Sequence, residues 1–186
     1  MGAADQTKVL RIPARVFLAP TDLSAGAPFG GTEVGAIRSI GWTPGDSYSE
    51  IIAPELGRVI GWSRIEKPFK LSMRLRQYDA GALSAIFRTS GAGSSSGDPT
   101  ATLSSVTGVV GASALRKVLV APGIPGESVR TDQPGLLLYS ALGLPVPDEE
   151  VRMSVLYEAV MPAVFMALAD SSNRIAYWGK LEDMTL

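Results

Sequence analysis

The sequence has no cysteine and no histidine. Their absence removes disulfides, thiolate nucleophiles, Cys/His metal sites and every triad or general base built on imidazole. An excess of one charge is missing too. With 17 basic and 18 acidic side chains the net charge is −1 at pH 7, so no bulk attraction to nucleic acid or an anionic membrane follows. Long apolar runs are also lacking: the longest, Ala159 to Ala169, is about half of what a bilayer-spanning helix requires and contains Pro162, which marks it as core. The opening residues MGAADQTK have neither the basic nor the apolar region of a signal peptide. Gln6 stands where a myristoylation motif places Ser or Thr, so neither export nor lipidation is expected.

What is present points to strands. Hydrophobic residues make up 46% of 186 positions, enough for one real core, and residues 1–186 are expected to form a single domain. The 20 glycines and 13 prolines fit many turns between short strands better than long helices.

The most informative stretch is Lys67 to Phe87, because its period changes. Phe69, Leu71, Met73 and Leu75 alternate with Lys70, Ser72, Arg74 and Arg76, the pattern of a strand with one buried face. At Tyr78-Asp79 the period lengthens. Asp79 is placed as an N-cap, and Leu83, Ile86 and Phe87 share a stripe at helical spacing, which predicts a helix over 80–89 docked on the apolar face of that strand.

Elsewhere, residues 1–8 read as an arm leading into a strand on which Leu10, Ile12, Ala14, Val16 and Leu18 share one face while Arg11 and Arg15 take the other. A loop from Thr21 precedes a second strand, Ala36 to Trp42. Residues 43–67 form a hairpin excursion with turn residues yet also with Ile51, Ile52, Val59, Ile60 and Trp62. Each exposed Ile or Trp forgoes roughly 1.5–3 kcal/mol of burial, so this excursion is expected to rest on something, its own domain or a neighbour. Residues 91–108 have the composition of a Gly/Ser-rich linker. Further strands are expected at Leu115 to Ala121, Leu136 to Ala141, Val151 to Val160, Ala163 to Leu168 and Arg174 to Leu181, with Asp170 to Asn173 as a hairpin turn joining the last two.

Chemistry finds little footing. Gly91, Gly93 and Gly97 follow the helix instead of opening one, and no Lys-Ser/Thr pair completes a phosphate loop. Asp148, Glu149 and Glu150 read as a solvated turn. Lys117 and Lys180 have no spacing to a Ser or Tyr that singles out a nucleophile-base pair. Arg74, Arg76 and Tyr78 offer a small basic and aromatic patch that reads as a solvated strand end, and Trp42, Trp62 and Trp178 suit either the core or an interface. The expectation is no enzyme, no catalytic residue, no metal, no cofactor and no small-molecule substrate.

The order of parts resembles the tail tube (major tail) proteins of long-tailed bacteriophages. The resemblance rests on KVLRIPARVFLAP, the GTEVGAIRSIGW segment, the long hairpin, the strand-to-helix unit FKLSMRLRQYDAGALSAIF and the closing pair AVFMALADSSNRIAYWGKLED. It implies an antiparallel β-sandwich or small barrel with one flanking α-helix and a long hairpin loop. It also implies homo-hexameric rings stacked through that loop and the terminal arms, contact with other tail proteins, and a lumen through which DNA passes without specific binding. Residues 51–62 would be the stacking loop, with Ile51, Ile52, Val59, Ile60 and Trp62 as inter-ring contacts. The location would be the virion, after synthesis in the host bacterial cytoplasm. The lumen in this family is usually acidic, whereas the polar face of the helix-leading strand carries Lys70, Arg74 and Arg76. The rival expectations are another virion protein, a tail terminator or capsid decoration subunit, and a small-molecule-binding β-barrel.

Overall fold

A computed structural model of the protein describes residues 13–35, 37–43, 46–53, 55, 57–66, 69–75, 93–95, 98–100, 115–124, 126–145 and 161–186. The arm, the expected helix with Leu83, Ile86 and Phe87, Arg76, Tyr78, the acidic cluster at 148–150 and the expected strand at 151–160 lie outside these residues. The described chain is mostly β and every strand pairing in it is antiparallel. Its one helical element is a 3-10 turn, Leu181–Asp183. None of its helices is long and apolar enough to cross a membrane.

Twelve strands follow in order: β1 Ala14–Leu18, β2 Thr32–Glu33, β3 Ile37–Thr43, β4 Asp46–Ala53, β5 Arg58–Glu66, β6 Phe69–Leu75, β7 Gly93–Ser95, β8 Asp98–Thr100, β9 Arg116–Pro122, β10 Pro134–Pro145, β11 Met161–Ala167 and β12 Ala176–Lys180. An eight-stranded sheet runs β2-β1-β9-β10-β11-β6-β3, with β12 paired to β10. Among the described residues the sheet does not close, and β2 and β3 are its ends. β4 with β5, and β7 with β8, form separate two-stranded hairpins. The segment read as a pure Gly/Ser linker thus contains a short hairpin, with Gly93 opposite Thr100.

The alternation read in β6 is observed: Leu71, Met73 and Leu75 are buried, and Lys70, Ser72 and Arg74 are exposed. In β1, β9 and β10 both faces are buried, which explains their unbroken apolar runs. Residues directly opposite each other share a face. Val16, Val120 and Leu136 therefore form one cross-strand row, Phe17, Leu119 and Leu137 the next, and the rows alternate between two cores. The larger core joins Val16, Leu18, Val118 and Leu138 to Leu71, Met73, Leu75 and Phe165. The second, on the opposite face, gathers Phe17, Leu119 and Leu137 with Phe29 from the loop after β1 and with Leu181 and Met184 from the C-terminal turn. Phe29 meets Phe17 edge-on at 5.0 Å. Each such side chain contributes roughly 1.5–3 kcal/mol by burial, so the loop and the C-terminal turn are structural parts of the domain.

One reading is borne out with an addition and one needs correction. Arg15 takes the face opposite Val16, as the alternation implies, and that face is the second core, where Arg15 is 7% exposed. The Asp170 turn is present, with the Asp170 N–H donating to the Arg174 carbonyl at 2.9 Å, yet it does not pair the last two strands. β11 and β12 instead lie end to end along one edge of β10, Ala167 opposite Ala141 and Ala176 opposite Leu138. The long β10, twelve residues, makes this possible by offering each partner half its length.

Candidate assembly surface: the exposed hairpin and its root

β4 follows β3 and β5 precedes β6 in the chain, and β4 and β5 pair with each other in a hairpin separate from the eight-stranded sheet. At about 3.4 Å per residue its strands of 8 and 9 residues are roughly 27–31 Å long. Its register places Glu50 opposite Trp62 and Ile52 opposite Val59, so these four share a face with Tyr48, two residues before Glu50. Ile51, opposite Gly61, takes the other face. A register shift between Ile51 and Ile52 leaves Ile60 as the unmatched residue of a bulge.

The five residues singled out from the sequence, Ile51, Ile52, Val59, Ile60 and Trp62, are all exposed, from 41% for Val59 to 61% for Trp62. Tyr48, at 59%, belongs with them and was missed, although the period of two from Ile52 back through Glu50 points to it. Large apolar groups on both faces of a protruding hairpin leave it without the burial that such residues normally gain. Packed against the described residues of their own domain these side chains would be buried, and they are exposed.

At the root of the hairpin stands Trp42, the penultimate residue of β3. Trp42 is opposite Leu71 and Trp178 is opposite Leu136, so both indoles project on the side of the larger core. Their centroids lie 4.9 Å apart with planes tilted by 40°, and both remain exposed. Among the described residues β3 is an end of the sheet and β12 pairs with β10 alone, so this contact bridges two elements that no described ladder joins and brings the hairpin base beside β12.

The outer face of β6 is a second surface. Three cross-strand rows run over it: Thr43, Lys70, Met166 and Leu142; then Gly41, Ser72, Val164 and Leu144; then Ser39, Arg74 and Pro162. From β3 and β6 to β11 and β10 the rows change from hydroxyl and cationic to apolar. No carboxylate stands among these residues. A shallow groove of about 390 Å³ follows the rows, lined by Ser39, Gly41, Ser72, Arg74, Pro162 and Val164.

The candidate chemical residues do not converge. Lys180 is exposed and donates to Glu182 at 3.1 Å, and that hydrogen bond holds its pKa above the ordinary lysine value, the wrong direction for a base. Lys117 lies on β9, two strands from β12, and forms no constellation with Lys180. Among the described residues no group of acidic side chains could hold a metal ion.

No protein-family model matches this chain, and no curated protein is significantly similar to it.

Proposed function

We propose that the chain is a structural subunit of a phage tail tube, assembling as stacked rings, six copies each in the family it resembles, around a channel for DNA. The observation that carries this reading is the 46–66 hairpin, which holds Tyr48, Ile52, Val59 and Trp62 on one face, each still exposed beside the described residues. A neighbouring copy supplies what is missing. The sheet supports the same reading: among the described residues β2 and β3 end it without a further partner, such ends are templates for pairing with another chain, and ring closure removes them. A ligand-binding barrel needs a closed wall, and the described strands do not form one.

In this reading the domain is the sandwich of the resembled family, with the helix at 80–89 as its flanking helix and residues 1–8 as an arm between subunits. The protein acts without catalytic residues or cofactors, resides in the virion, contacts other tail proteins and lets DNA pass without specific binding. Size-exclusion chromatography with light scattering and negative-stain microscopy of the purified chain test it. Rings or tubes are expected, with at least about 1,000 Å² buried per neighbour contact. A monodisperse monomer at high concentration contradicts the reading.

A further inference from the structure

The hairpin and the outer face of β6 match each other at one ion pair and along one apolar column. On the hairpin, Glu50 on β4 stands beside Trp62 on β5, and one row further Ile52 stands beside Val59. On the sheet, Lys70 stands beside Met166, and one row further Ser72 stands beside Val164. Rows on one face of any strand repeat every two residues, about 6.8 Å, so two such surfaces keep step when they are laid together. We infer that the hairpin of one subunit seats on the β6–β11 face of a second copy, with Glu50 against Lys70 and with Trp62 and Val59 against Met166 and Val164.

Charge and polarity select this occupant. The face has an apolar column, Val164 and Met166 with Leu142 and Leu144 behind them, next to a cationic column, Lys70 and Arg74. A phosphate backbone satisfies only the second column. The hairpin offers something to each: the Glu50 carboxylate to Lys70, and Trp62 and Val59 to the apolar column, with Ile52 over Ser72. The sulfur of Met166 is also a favourable neighbour for an indole ring. This seat explains a cationic face in a protein expected to carry passing DNA: Lys70 is turned toward a neighbouring subunit.

The inference rests on the tube reading, and a charge exchange separates the two. Glu50 and Lys70 are both exposed, so Glu50→Lys, Lys70→Glu and the double variant are expected to fold as the parent does, as circular dichroism can verify. Like charges facing each other across an interface cost enough that each single variant should lower the assembled fraction about tenfold or more in low salt, measured by sedimentation. The double variant should restore it. If the parent assembles and the single variants assemble equally well, or the double variant rescues nothing, the seat is wrong while the tube reading stands. If Lys70→Glu assembles normally but loses retention on double-stranded DNA, the cationic column belongs to phosphate and the seat is overturned. A parent chain that never assembles ends both.

Discussion

Trp42 and Trp178 stack with ring centroids 4.9 Å apart although their strands are not neighbours in the sheet. The contact ties the point where the hairpin leaves β3 to β12, an element fixed along β10. An aromatic pair of this kind is worth about 0.5–1.5 kcal/mol beyond its area, a small part of a domain's stability. Trp178→Ala is therefore expected to leave the melting temperature within a few degrees of the parent while reducing assembly, because the hairpin loses its fixed angle. The exciton couplet that a close indole pair gives in circular dichroism should vanish in this variant. Loss of the fold would place the pair in the core instead, and unchanged assembly would remove its role in aiming the hairpin.

A second relationship was not legible in the sequence. Arg15 donates to Glu33 through Nε at 2.7 Å and Nη2 at 2.6 Å, and through Nη1 to the Glu127 carbonyl at 2.6 Å. Its guanidinium also lies 5.1 Å from the centre of the Phe17 ring. One cation thus joins β1, β2 and the loop after β9. Removing one partner of a buried pair costs about 3–5 kcal/mol, and since Glu33 is partly exposed, Glu33→Ala should cost about 2–3 kcal/mol. Arg15→Leu combined with Glu33→Leu should cost less than the sum of the single changes, since no charge is left alone. Denaturant melts of the four proteins measure this, and strict additivity would show that the pair is not coupled.

The β-rich class, the β6 alternation and the hairpin with its surplus of apolar residues were legible because each rests on local composition or a period of two. Arg15 was not. Alternation along β1 separates two faces but does not say that the loop carrying Phe29 and the turn carrying Leu181 and Met184 cover the second one. The role of Asp170 to Asn173 was half legible: its turn chemistry is present, but the hairpin reversal expected from it is not, because β11 and β12 both run antiparallel to β10 and so keep one direction along its edge. Pairing of Trp42 with Trp178 depends on how the sheet curls, and no short-range pattern carries that.

The Asp170 turn supplies a pH test. Its carboxylate accepts from the N–H groups of Ser172 and Arg174 and from Arg174 Nε, while the Arg174 guanidinium lies over the Tyr139 ring at 4.0 Å. The Arg174 N–H is the largest cause that holds the Asp170 pKa below its ordinary 3.8. A carboxyl lowered on folding contributes stability that is present above the unfolded value and lost as pH falls through the folded one. The Ser172 and Arg174 amides are therefore expected to lose hydrogen-exchange protection as pH drops below 3.8, and Asp170→Asn should remove that dependence. Protection unchanged into strong acid would contradict the carboxylate's role.

The central claim is that the 46–66 hairpin builds the assembly and not the subunit. The direct test replaces it by a tight turn between β3 and β6 and examines the variant by circular dichroism and negative-stain microscopy. Had Ile51, Ile52, Val59, Ile60 and Trp62 packed on their own core, deletion would remove on the order of 7–15 kcal/mol of burial, comparable to the stability of a whole domain. Because all five are exposed, a folded β subunit that forms no tubes is expected. An unfolded chain, or a folded one that still forms tubes, would contradict the account.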